Sequence, residues 1–199
     1  MLNIAVLVSG GGTNLQALID AQDAGILHSG KIKLVLSSNA GAYALQRAAK
    51  YRIASCVVSR KSFATGDAFD TALLAKLEEY KIDIVVLAGF LSILGKKVIA
   101  RYPNRIINVH PSLIPSFCGD GFYGLKVHQA ALEKGVKVSG ATVHFVNEIT
   151  DGGEIIAQKA VDILPDDTPE SLQKRIMEQA EWFLLPRAVE QVCQELQQA

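Results

Sequence analysis

The stretch Asn108-Val109-His110-Pro111-Ser112-Leu113-Ile114-Pro115 concentrates residue types from which acyl-transfer chemistry is built. Residues two apart in a strand project to the same face, so Asn108 and His110 stand side by side where a short apolar run ends. A carboxamide donor beside an imidazole polarises a carbonyl and stabilises the oxyanion of a tetrahedral intermediate. Oxyanion donors of this kind are worth about 3–4 kcal/mol each. Pro111 and Pro115 stiffen the loop that follows. A carboxylate is needed to orient or charge the imidazole, and the candidate is Asp151, in Thr150-Asp151-Gly152-Gly153, where two glycines allow a tight loop. An Asp beside a His raises the imidazole pKa and can hold water for proton transfer. Taken alone, Asn-x-His is more often a satisfied polar pair and Asp-Gly-Gly more often a plain turn.

A second constellation lies near the start. Ser9-Gly10-Gly11-Gly12-Thr13-Asn14 follows an apolar run and opens a helical pattern. Glycines let the backbone approach a ligand, and the helix start offers free N–H groups and partial positive charge to a phosphate. The loop has no P-loop lysine, and Leu15 occupies the third glycine position of a GxGxxG pattern, so neither ATP nor a dinucleotide is indicated. The alternative is a tight strand-to-helix turn with no ligand. Of the other histidines, His144 sits inside a strand and is able to line the same cleft, His128 reads as structural, and His28 as solvated. With no HxH, HxxxH or CxxC spacing, no metal is expected.

These residues need a scaffold, and the hydrophobic patterning supplies one. Strand-like runs at Asn3–Val8, Lys31–Ser37, Ser55–Val58 and Ile84–Ala88 alternate with helical patterns at Asn14–Ala24, Ala42–Tyr51 and Asp67–Tyr80. That alternation predicts an α/β fold, a mostly parallel twisted sheet flanked by helices. Short strands follow at 106–109, 140–146 and 154–160, with a helix over 127–134. A turn at 165–169 leads into a long final helix, which Pro186 is expected to kink or break. No repeat, low-complexity stretch or linker divides the chain, so 1–199 reads as a single domain.

Bulk properties narrow the partners. Twenty basic and twenty acidic residues cancel, and no basic stripe is present, which argues against nucleic acid and favours a small molecule. Cys56, Cys118 and Cys193 are odd in number and far apart, unlike a disulfide framework and suited to a reducing, cytoplasmic compartment. Met1–Val8 reads as a buried strand, not a signal peptide, and no apolar run is long enough for a membrane span. The sequence does not specify an oligomeric state.

Five segments taken together resemble one family. Ser9-Gly-Gly-Gly-Thr-Asn14-Leu-Gln, Val86-Leu-Ala-Gly-Phe90, Asn108 through Pro115, Thr142-Val-His-Phe145 and Asp151-Gly-Gly are similar, in order and over nearly the whole chain, to the phosphoribosylglycinamide formyltransferases. The Asn-x-His-Pro-Ser-Leu-x-Pro motif is shared with other formyltransferases, whereas the glycine loop is more specific. The resemblance implies a Rossmann-like formyltransferase fold whose N-terminal half binds the ribonucleotide and whose C-terminal half carries folate binding and catalysis. It implies transfer of a formyl group from 10-formyltetrahydrofolate, a cosubstrate, to the amine of 5-phosphoribosylglycinamide, a step of purine synthesis. It makes Asn108, His110 and Asp151 the catalytic trio. On the substrate side it sets Gly11, Gly12, Thr13 and Asn14 around the phosphate, with Pro111 and Glu181; the latter meets the glycinamide end. On the folate side it sets Leu91, Ser92, Ile93 and Leu94, contacting the pterin largely by backbone groups, and the loop Val146, Asn147, Glu148, Ile149 and Thr150, which closes over the ring.

The chain also departs from the family pattern. Many relatives carry Met-Arg where Leu91-Ser92 stand, and some carry an Arg where Gly66 stands, which bears on ligand affinity. The loop 116–124 departs from a Pro-Gly turn and reads as a flap beside the site. Rival readings are a methionyl-tRNA formyltransferase, disfavoured by the short C-terminus and lack of basic excess; a formyltetrahydrofolate hydrolase, which has no use for the phosphate loop; and a non-catalytic binding module, which leaves the trio as coincidence.

Overall fold

The computed structural model of the chain describes residues 1–198. Seven strands form one sheet in the order β3-β2-β1-β4-β5-β6-β7. They are β1 Leu2–Val8, β2 Gly30–Ser37, β3 Ala54–Val57, β4 Ile84–Leu87, β5 Ile106–His110, β6 Val138–Phe145 and β7 Ile155–Asp162. The first five run parallel, while β6 and β7 are antiparallel to their neighbours. The helices are α1 Thr13–Asp23, α2 Tyr43–Lys50, α3 Gly66–Glu79, α4 Lys96–Arg101, α5 Leu125–Lys134, α6 Pro169–Ile176 and α7 Trp182–Gln198. The expected strands and long helices are present with ends shifted by a residue or two; α4, of six residues, was not foreseen.

β1 shows how sequence makes the layers. Successive side chains alternate across the sheet. Ile4, Val6 and Val8 enter a core shared with Leu15 and Leu18 of α1 and Leu185 and Val189 of α7, while Ala5 and Leu7 enter a second core with Phe69 and Leu73 of α3. A strand covered on both faces must be apolar throughout, and all five of these residues are fully buried.

The C-terminal helix corrects one expectation. α6 begins at a capping box in which the Thr168 hydroxyl accepts from the Ser171 amide. The helix then widens into a π turn over Met177–Glu181 before continuing as α7. The break anticipated at Pro186 does not occur, for Pro186 lies within α7. The irregularity sits one turn upstream, where the widened backbone precedes the residue that lacks an amide donor. Among the described residues, no helix is long and apolar enough to cross a membrane.

Candidate active site

Strand order reverses between β1 and β4, and the loops leaving the C-terminal ends of these two strands diverge there to open a crevice. From β1 comes the glycine loop. Gly12 has φ 72°, and a Cβ on it would lie 2.7 Å from the Ala44 Cβ, so backbone sterics and the approach of α2 both require glycine. No side chain caps the start of α1, which leaves its first-turn amides and the positive end of its dipole open to an anion. Arg47 of α2 donates through Nε to the Gly11 carbonyl at 2.9 Å and adds positive charge beside the loop.

A cleft of about 650 Å³ runs from the end of α1 across the sheet. One wall is Leu91, Ser92, Ile93 and Leu94, after β4. A second lining segment is Val146, Asn147, Glu148, Ile149 and Thr150, between β6 and β7, whose Glu148 pairs with Lys96 at 3.0 Å. Asn108, His110, Pro111 and Asp151 also line it, as do Asn14 and Glu181. Leu91, Ile93 and Ile149 are 66%, 81% and 69% exposed, so the mouth presents apolar groups that a flat apolar ligand would cover. Gly11, Gly12 and Thr13 are not part of this cleft. Thr13 instead borders a separate depression of about 430 Å³ with Arg47, Trp182 and Arg187, and its hydroxyl reaches the Met177 sulfur at 3.7 Å. The Asn14 side chain turns away from the glycine loop and donates to Glu181 Oε2 at 2.6 Å.

The catalytic candidates converge through the antiparallel half of the sheet. Asn108 and His110 lie on β5, opposite His144 and Thr142 of β6. His144 Nδ1 donates to the Phe145 carbonyl at 2.8 Å, so its Nε2 is free to accept from Asn108 Nδ2 at 3.1 Å. That bond fixes the carboxamide and leaves its second N–H for a ligand. His110 Nε2 lies 2.8 Å from the Phe117 carbonyl, which can only accept, so the Nε2–H form is set and Nδ1 faces Asp151 Oδ2 at 3.5 Å. Asp151 Oδ1 is also 3.5 Å from His144 Nε2, and Oδ2 accepts from the Gly119 amide at 2.9 Å.

The electrostatics overturn one expectation. Asp151 does not hold His110 charged: burial pushes the imidazole below its usual range, and the Phe117 carbonyl and the Asp151 charge oppose this without prevailing. Burial also acts on Asp151, upward, but the adjoining His144 ring and the hydrogen bond from the Gly119 amide prevail and hold the carboxyl low. The site thus pairs a neutral ring with an ionised carboxylate. Glu181 is pushed up to about 6 by burial, against the hydrogen bond from Asn14. His128 on α5 is fully buried; burial, with His110 nearby, pushes it down to about 4.

Three contributors had no sequence signal. The Phe117 carbonyl and Gly119 amide are backbone groups of the 116–124 loop, which is thereby part of the site and more than a flap. Phe117 (φ 49°) and Asp151 (φ 52°) both adopt left-handed backbone, which no pattern announces for such residues. Arg47 belongs to no motif.

With this geometry in hand, comparison with known proteins is direct. The family model described as formyl transferase matches residues 2–189. A phosphoribosylglycinamide formyltransferase of Haemophilus influenzae is 42% identical over 95% of this chain and 86% of its own length. A trifunctional purine biosynthetic protein of Drosophila melanogaster is 45% identical over 94% of this chain, which spans 13% of that much longer relative. The crystal structure of glycinamide ribonucleotide transformylase 1 from Symbiobacterium toebii superposes with a TM-score of 0.92 at 40% identity, covering 98% of this chain and 89% of its own.

Proposed function

The chain belongs to the formyl transferase family, alongside the phosphoribosylglycinamide formyltransferases, and from that premise we propose that it moves a formyl group from 10-formyltetrahydrofolate to the amine of 5-phosphoribosylglycinamide. The products are the N-formyl ribonucleotide and tetrahydrofolate, in purine synthesis. The observation that carries this reading is the convergence of the Asn108 amide, the His110 imidazole and the Asp151 carboxylate in a cleft that Glu181 and the exposed apolar residues Leu91, Ile93 and Ile149 also line.

The chemistry follows from the protonation states. The amine nitrogen attacks the formyl carbon, the carbonyl pair moves to oxygen, and the tetrahedral carbon then expels folate N10. The free N–H of Asn108 donates to the oxyanion. Neutral His110 offers a lone pair at Nδ1 and takes up there the proton that the attacking amine sheds; the imidazolium so formed is stabilised by Asp151 and donates to the same oxygen until it gives that proton up. The proton released by the amine ends on N10, and Asp151 is the group through which it can pass.

Glu181, buried and ready to ionise, suits the amino end of the substrate. The amides at the start of α1, with Gly11, Gly12, Thr13 and Arg47, suit its phosphate. Leu91–Leu94 and Val146–Thr150 suit the pterin. In this reading residues 1–199 act as one formyltransferase domain, with ribonucleotide held by the N-terminal half and folate by the C-terminal half. A cytoplasmic setting is supported by the three unpaired cysteines.

The test mixes protein, 10-formyltetrahydrofolate and the ribonucleotide, and follows tetrahydrofolate release by absorbance. Release that requires the ribonucleotide and collapses in His110→Ala is expected. Release without the ribonucleotide would make the protein a hydrolase, and no release would remove the enzymatic reading.

A further inference from the structure

The Leu91–Gly95 loop poses a physical problem. The Leu91 and Ile93 side chains stand in solvent, so they do little to hold it, yet a surface that reads a ligand through backbone groups must be fixed before the ligand arrives. Both ends are tied by side chains from elsewhere in the chain. The Leu91 amide donates to Ser9 Oγ at 2.8 Å, and Ser9 Oγ lies 2.6 Å from Ser38 Oγ, at the end of β2. The Gly95 amide donates to Asp70 Oδ1 at 3.0 Å. Ser9 leaves β1 and Leu91 follows β4, so the first tie spans the crevice at the point where strand order reverses.

The second tie has the marks of a built feature. Asp70 is 2% exposed on α3, between core residue Phe69 and exposed Thr71, and a buried carboxylate is costly unless a partner holds it. Gly95 has φ −84°, which any residue can adopt, so its backbone does not call for glycine. What calls for glycine is Asp70: a Cβ on Gly95 would run into the carboxylate. Residue 95 is small because residue 70 needs to reach its amide.

We propose that Ser9 and Asp70 are positioning residues for the one-carbon donor: by pinning the first and last amides of the 91–95 loop, they pre-shape the surface that receives the folate. The proposal rests on the reading of Leu91–Leu94 as a pterin contact. Neither residue touches the reacting atoms, so their loss weakens folate binding and leaves the chemical step intact once folate is saturating.

The experiment measures affinity for tetrahydrofolate and for the ribonucleotide by calorimetry, and kcat at saturating folate, for the intact chain and five variants. Asp70→Ala and Ser9→Ala are each expected to weaken tetrahydrofolate binding about five- to tenfold, the worth of one hydrogen bond in a preorganised site, with ribonucleotide affinity and kcat within about twofold. Asp70→Asn keeps an oxygen for the Gly95 amide and is expected to restore most of the affinity. Gly95→Ala should match Asp70→Ala, with the double variant no worse than either. Undiminished tetrahydrofolate affinity in Asp70→Ala and Ser9→Ala would overturn the proposal, as would equal weakening of both ligands. Ser9 is half-buried at a strand end, so its variant folds even where Asp70→Ala does not. An intact chain that binds no tetrahydrofolate would instead overturn the functional reading beneath.

Discussion

The two halves of the sheet meet their ligands by different means. At the β1–β2–β4 side the groups offered are backbone: glycine loop, uncapped helix start, and the 91–95 segment, whose end amides are tied to Ser9 and Asp70. At the β5–β7 side they are side chains, with Asn108, His144, His110 and Asp151 each held by at least one hydrogen bond. A parallel strand feeding a helix yields a ready anion seat from connectivity alone. Catalytic groups need directed side chains, and antiparallel pairing supplies them by setting residues of β5 and β6 opposite each other in fixed register. In the proposed reading, binding is thus spread over backbone groups, while catalysis is concentrated in a few side-chain atoms.

The sharpest test of that contrast removes a side chain from the second half. His110→Ala should lower kcat/KM by about a thousandfold or more, roughly 4 kcal/mol, since it deletes a proton acceptor and an oxyanion donor together. A loss below tenfold in steady-state kinetics would break the comparison. Glu181 is the exception on the binding side, a side chain where backbone predominates. Glu181→Gln should raise KM for the ribonucleotide about tenfold or more with little change in kcat. Because its carboxyl sits at about 6, a cationic amine binds best when it is ionised. KM for the ribonucleotide should therefore rise as pH falls through 6 in the parent, and stay flat across that range in the variant.

His128 sharpens the contrast through stability. Burial sets it at about 4 against 6.5 for a free imidazole, so between those values the unfolded chain binds a proton that the folded one refuses. Stability therefore falls as pH drops from 6.5 toward 4, by roughly 2 kcal/mol between pH 7.5 and pH 5. Urea unfolding at the two pH values measures this, and His128→Leu should flatten the difference. The smallest effect belongs to the backbone half. Gly12→Ala should cost about 1–2 kcal/mol and weaken ribonucleotide binding, because φ is positive and Ala44 is close. Gly10→Ala, with open space at the Cβ position, should cost only a few tenths. Equal costs would show that the glycine loop is not shaped by its packing on α2.

What was legible in the sequence follows the same division. Alternating apolar and helical periods foretold four of the five parallel strands, most plainly β4, because a strand buried on both faces is apolar at every position. Asn108, His110 and Asp151 carry distinctive side chains, Glu181 was reached through the family resemblance, and all four line one cleft. The antiparallel sense of β6 and β7 was not legible, since strand direction leaves no mark in composition. α4 is too short to show a period. The Phe117 carbonyl, the left-handed Asp151 and the Asp70–Gly95 tie were hidden for a common reason: each depends on where backbone lies, and side-chain types do not report that. The charge state of His110 was misjudged because the neighbouring carboxylate is visible in sequence and the degree of burial is not.

The π turn at Met177–Glu181 carries a last consequence, one of phase. Leu172 and Ile176 before it, and Leu185, Val189 and Val192 after it, all enter the same core, while Glu181, at its end, heads into the cleft. A regular helix advances by about 100° per residue, so each added or removed residue turns everything beyond it by that angle. A one-residue deletion inside 177–181 would leave every other contact chemically possible and yet misdirect either the carboxylate or the apolar stripe. The surplus residue lets one continuous helix keep two headings, one for the core and one for the cleft.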